Sequence, residues 1–163
     1  MKTIQPYFKG PTTTLGIADS GSIYGQTPRD KEYVVANHRG YLYAQQAGVY
    51  TFSAPITDDV SLLWVGANAY SGCTRQNANI DQAYIASGVT PQEYKTMFEK
   101  GKYYPIRFMW ANSGGPGYFS FKITAPDGTV VIDDKTAKCP YLVKYGCNEA
   151  DNAPPFADWG AEP

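Results

Sequence analysis

The sequence predicts an all-β protein built as an antiparallel β-sandwich. Three observations carry this. Short runs rich in Val, Tyr, Phe, Trp and Ile recur at regular spacing, each bounded by Gly, Pro, Asn or Asp. No stretch shows a sustained helical period. The composition, with fourteen Tyr, sixteen Gly and twelve Pro in 163 residues, favours strands and tight turns over helices.

Taken in order, residues 1–37 are rich in Gly, Pro, Thr and Ser and read as loops with short strands. The run "RGYLYA" (39–44), the turn "QQAG" and "VYTFSA" (49–54) alternate near period two and are expected to form a hairpin. "VSLLWV" (60–65) is continuously apolar, as a strand covered on both faces should be. "EYKTMFEK" (93–100), then "GK", then "YYPIRFMWA" (103–111) reads as a second hairpin, with Pro105 suited to a strand start. "GYFSFKI" (117–123) and "TVVI" (129–132) flank "APDG", whose Pro-Asp-Gly is turn chemistry. The chain is expected to comprise one domain over 1–150 and a C-terminal extension, 151–163, leading to a linker and held to the body by Phe156 or Trp159.

Composition narrows the function. The net charge is −1 and the basic residues are scattered, which argues against nucleic acid or an anionic membrane surface as partner. The longest apolar stretch, Leu62 to Ala67, is far too short to span a bilayer. "MKTIQPYFKG" has no apolar leader core, and Met1 is read as a start that replaces a removed leader. Cys73, Cys139 and Cys147 allow at most one internal bridge. His38 is the sole histidine, so neither a zinc site nor a His-based triad finds its parts, and it is expected to be a solvated surface residue.

The segment "APITDDVSLLWV" poses the sharper question, because Asp58 and Asp59 are adjacent like charges at the edge of an apolar run. Glycoside hydrolysis needs two carboxylates across one bond, and neighbours in an extended strand point to opposite faces. A cis peptide between them would let both carboxylates converge, at a cost of about 3–4 kcal/mol, and a hard divalent cation would reward that convergence. A second oxygen-rich loop is then required. "WANSGGPG" (110–117) offers one, with Asn112 after a strand and glycines that let backbone carbonyls turn inward. Taken singly, these are also ordinary turn residues.

"GYLYA" (40–44), "AGVYTFSAPITDDVSLLWVGANAYSG" and "YYPIRFMWANSGGPGYFSF" (103–121) occur in an order that resembles the PA14/GLEYA lectin domains of fungal cell-wall adhesins, over about residues 33–147. The resemblance implies a PA14-like sandwich with calcium-binding loops at one end. It implies Ca2+ held by Asp58 and Asp59 through a cis peptide, by the Asn112 side chain, and by the carbonyls of Gly114 and Pro116. It implies that two hydroxyls of a terminal sugar complete the shell, the sugar being mannose, galactose or the N-acetylglucosamine end of chitin. Ser113 to Pro116, Gly115 among them, would tune the choice of sugar, and Trp110, Tyr70 or Tyr118 would supply stacking surface.

Where family members bond a C-terminal cysteine to one upstream, that upstream stretch has no counterpart here; the expected bridge is Cys73–Cys139, with Cys147 unpaired. The expected function is calcium-dependent, non-enzymatic sugar binding in cell adhesion by a monomeric module outside the cell, at the wall. A carbohydrate-binding module of a secreted glycosidase and a structural, protein-binding PA14-like domain are the alternatives.

Overall fold

A computed structural model describes residues 2–26, 31–135 and 139–162. The strands are β1 (Gly16–Ile17), β2 (Val34–Tyr43), β3 (Gly48–Thr57), β4 (Val60–Val65), β5 (Ile80–Ala83), β6 (Gln92–Phe98), β7 (Tyr103–Asn112), β8 (Phe119–Thr124), β9 (Val130–Ile132) and β10 (Leu142–Val143). One helical turn, α1 (Ala67–Tyr70), interrupts them. Two antiparallel sheets result. The first runs β1-β8-β3-β6 with β9 beside β8, and the second runs β10-β2-β7-β4-β5. The β-sandwich expectation holds.

Side-chain alternation explains the packing. On β8, Phe119, Phe121 and Ile123 are buried while Ser120, Lys122 and Thr124 between them are not. On β3, Tyr50, Phe52 and Ala54 turn to the same interior. They meet Leu42, Leu63, Phe108 and Trp110 of the second sheet, and enclosing each large apolar side chain contributes about 1.5–3 kcal/mol. The apolar run of β4 is covered on both faces as expected. Leu63 enters the central core, and Leu62 and Trp64 pack outward with Ala69 of α1.

Two expected hairpins do not form. β2 pairs with β7 and β10, whereas β3 pairs with β6 and β8, so consecutive strands 39–44 and 49–54 lie in opposite sheets. β6 and β7 are likewise split between sheets. Each strand buries one face against the other sheet, and period-two alternation alone does not say which neighbour it pairs with. The β8–β9 pair does form across "APDG". Pro105 lies just outside the β4–β7 ladder, which ends at Val65 opposite Ile106.

The three cysteines are free thiols, so the expected Cys73–Cys139 bridge is absent. Cys73 packs with Leu62 and Trp64 on the outer side of the second sheet, and Cys139 packs against the central core, in separate clusters. His38 is also not where the sequence suggests. Its ring sits among Tyr24, Phe108 and Phe119, with Nδ1 shut away from solvent and unpartnered. It lies on an inward position of β2, where a neutral imidazole behaves as an aromatic core residue. Desolvation pushes it down to about 4, against a hydrogen bond to the Phe108 backbone that pulls it up.

Candidate functional site

The register brings the two sequence motifs to one end of the sandwich. Thr57 ends β3 in the first sheet and Val60 begins β4 in the second, so Asp58 and Asp59 form the crossing between sheets. Val60 lies opposite Ala111 on β7, which sets Asp59 beside Asn112. Val34 pairs with Asn112, and Ile17 pairs with Phe119, so the start of β2 and the end of β1 arrive at the same corner.

The crossing is tied down on every side. Asp58 N–H donates to the Tyr118 carbonyl at 2.8 Å. The Asp58 carbonyl accepts from Trp110 Nε1 at 2.9 Å and from the Thr57 hydroxyl at 3.2 Å. Thr57 and Ser61 hydroxyls, both buried, lie 2.7 Å apart. Asp59 N–H donates to Asp58 Oδ1 at 3.1 Å, and the Asp59 carbonyl accepts from Tyr84 N–H at 2.7 Å. Asp59 Oδ2 accepts from the Ser113 N–H, which joins the two loops directly.

Two expectations fail here. The Asp58–Asp59 peptide is trans, as are all described peptide bonds. The turn is made instead by Asp59 at φ 56°, a left-handed conformation that aspartate tolerates better than most residues. Trp110 does not face a ligand, since it is fully buried against Phe119 and its indole N–H serves the Asp58 carbonyl. Tyr70 lies elsewhere, against Phe156, with its hydroxyl on the Pro155 carbonyl. Tyr118 is half-buried at the corner, its hydroxyl pushed up by burial and then by the Asp58 charge.

Asn112 is the centre of the arrangement. It is 3% exposed, and its Nδ2 donates to the carbonyls of Lys31 at 2.9 Å and Pro116 at 3.3 Å. Its Oδ1 is buried with no partner in the fold. Leaving such an acceptor unpaired costs about 1–3 kcal/mol, so this buried oxygen beside the two carboxylates is the group at this corner still open to a partner. Gly117 permits this geometry, because a Cβ there would stand 2.8 Å from Asn112 Nδ2 and 3.1 Å from the Trp110 ring. Gly115 takes φ 73° in the same loop, and Ser113, Gly114, Gly115 and Pro116 are all exposed.

Electrostatics agree. Burial pushes the Asp58 carboxyl up against the pull of the Asp59 N–H, and the Asp59 and Asp19 charges push it further. A cation beside these carboxyls would act against all of these upward pressures by favouring the charged form. No three His, Cys, Asp or Glu side chains among the described residues form a metal-holding group. The set present is two carboxylates, one amide oxygen and loop carbonyls. An oxygen-only donor set of this kind fits a hard divalent cation such as calcium. Two cavities of about 400 and 470 Å³ lie under the C-terminal segment and between residues 145 and 155, not at this corner.

The structure brings Asp58, Asp59 and Asn112, named from the sequence, to one corner, and adds Lys31 and Glu32, which sequence reasoning did not name. Gly117 closes the "WANSGGPG" loop already read as glycine-bordered, whereas Lys31 and Glu32 carry no motif that would single them out.

The sequence is 32% identical over 105 residues to flocculation protein FLO1 of Saccharomyces cerevisiae, covering 58% of this chain and 7% of that protein. It is 30% identical over 111 residues to flocculation protein FLO10 of the same yeast, covering 62% of the chain and 10% of the protein. The chain thus spans a tenth or less of these two relatives. Among solved structures, the epithelial adhesin 9 A domain of Candida glabrata, in complex with Galβ1-4GlcNAc, shares the fold at a TM-score of 0.54 and 21% identity, over 69% of this chain and 52% of that one. The epithelial adhesin 6 A domain of the same organism matches at a TM-score of 0.54 and 22% identity, over 83% and 69%. The GLEYA domain model matches residues 34–125, more than half of the chain, and the protein belongs to the GLEYA domain family.

Proposed function

We propose that this domain is a calcium-dependent lectin that binds a terminal sugar and makes or breaks no bond. The observation that carries the proposal is the buried, unpartnered Oδ1 of Asn112 beside two adjacent carboxylates. Asp58, Asp59 and Asn112, with the carbonyls of Gly114 and Pro116, would hold Ca2+. The ion supplies a direct point of attachment for two sugar hydroxyls, and so selects diols by spacing and orientation.

The chain's own residues do the rest. Asp58 and Asp59 are the acceptors for those hydroxyl protons. Ser113 and Gly115 form the exposed wall against which the sugar rests. Trp110 and Thr57 act behind them by fixing the Asp58 carbonyl. The relatives are flocculation proteins, and the epithelial adhesin 9 A domain is known with a galactose-containing disaccharide. Mannose, galactose and terminal N-acetylglucosamine are therefore the sugars to test.

An open rim with little buried area implies single-site affinity near about 1 mM, raised by about 10²–10⁴ when many copies engage at once. We place the domain outside the cell, at the cell surface, as a monomeric adhesive module that includes the 151–162 segment packed on its second sheet. A glycan array with and without chelator tests the reading. Binding that needs calcium and vanishes in Asp59→Ala, with the circular dichroism spectrum retained, supports it. Full binding in excess chelator overturns it.

A further inference from the structure

Glu32 and Asp19 stand around the same corner without a place in the proposed cation set. Glu32 is exposed, and its Oε1 lies 3.4 Å from the Gly115 N–H. The Ser113 N–H is already taken by Asp59 Oδ2. These two amides are two residues apart, within about 7 Å of each other along the chain. Successive N–H groups in a tight glycine-bearing loop are a common device for holding anions. Here carboxylates of the chain occupy both.

The nearby ammonium is equally unavailable. Lys31 Nζ donates to the carbonyls of Ala18 and Asp19. Asp19 is close enough for its charge to act on Asp58 and Tyr118. Among the described residues reaching this corner, Asp19, Glu32, Asp58 and Asp59 give four negative charges and Lys31 one positive. The balance is −3, and a bound divalent cation brings it only to −1.

We propose, resting on the lectin reading, that Glu32 sets the charge selectivity of the site. The site admits neutral and amino saccharides and rejects those bearing carboxylate, sulfate or phosphate near the coordinated diol. Glu32 does this in two ways. It presents a negative charge at the rim, and it removes the Gly115 N–H as an anion donor.

The test is binding in saturating calcium to immobilised galactose, mannose and N-acetylglucosamine termini, each beside its sulfated or sialylated counterpart and the matching free-amine sugar. The wild type should bind the anionic form about tenfold more weakly than the neutral one at low salt. That gap should shrink as ionic strength rises. Glu32→Gln should narrow it to about threefold and Glu32→Lys should reverse it, whereas Glu32→Asp should keep it. Equal binding of neutral and anionic sugars by the wild type, or a gap unmoved by Glu32→Lys, overturns this inference and leaves the lectin reading standing. Absence of binding to every sugar in calcium overturns the lectin reading itself.

Discussion

Two polar clusters of this molecule are built on opposite principles. On the outer face of the second sheet, Arg39 and Arg107 converge on Glu162, which is paired to Arg39 and lies 2.9 Å from Arg107. Arg107 also donates to the Ala69 carbonyl at 3.0 Å, and the Arg39 guanidinium stacks on Trp159 at 3.6 Å. Both cations there are answered by the chain's own groups. At the corner of Asp58, Asp59 and Asn112, two carboxylates lie near an orphan amide oxygen, and among the described residues neither carboxylate forms an ion pair. A cluster completed from within is scaffold, and one left unbalanced is open to a ligand. The contrast accompanies a 151–162 segment held on the body and a 113–116 loop left exposed.

The largest effect should come from breaking the completed cluster. Arg107 is 2% exposed, and Glu162→Gln would leave it buried without its counter-charge. Removing one partner of a buried pair typically costs about 3–5 kcal/mol, which urea denaturation would register as a lower midpoint. Below that midpoint the folded protein should bind calcium as the wild type does, because the two clusters share no residue. Loss of calcium binding in the folded variant would erase the distinction between them.

Acid provides a second probe, this time of the core between the clusters. His38 is held down to about 4 in the fold, against about 6.5 when unfolded. Above pH 6.5 both states are neutral and the histidine has no effect on stability. As pH falls from 6.5 to 4, only the unfolded state takes up the proton, so stability declines across that window by about 3 kcal/mol and then levels. Asp58, whose carboxyl is raised by burial, acts in the opposite direction, so the informative quantity is the difference from His38→Phe. Urea midpoints at pH 7, 5.5 and 4 should show a slope in the wild type that the variant lacks. Parallel slopes would mean that His38 is solvated after all.

How much of this was legible in the residues differs between strand and site. Alternation on β3 and β8 and the doubly covered run of β4 could be read directly, because side-chain period and burial are local properties. Strand partners could not, since β2 and β3 are consecutive yet belong to opposite sheets. The candidate site residues Asp58, Asp59 and Asn112 stood out as an adjacent acidic pair and a loop amide. Their supports were not, because Trp110 reads as a sugar platform until its burial and its bond to the Asp58 carbonyl are known. His38 misled for a similar reason, since a lone polar residue in "ANHRG" gives no sign that three rings enclose it.

The smallest of the three expected effects sharpens the comparison from the unbalanced side. If the corner is incomplete without an ion, calcium should stabilise the fold by mass action, by about 2.7 kcal/mol at one hundred times its dissociation constant. Asn112→Ala removes the orphan oxygen but also the Nδ2 donor that serves Lys31 and Pro116, so its metal-free stability should fall by about 1 kcal/mol. The increment on adding calcium separates the two roles. It should be near its full value in the wild type, nearly absent in Asn112→Ala, and present in Glu162→Gln despite that variant's lower baseline. An equal increment in wild type and Asn112→Ala would show that the buried oxygen is not a ligand, and that its lack of a partner is a cost the fold simply tolerates.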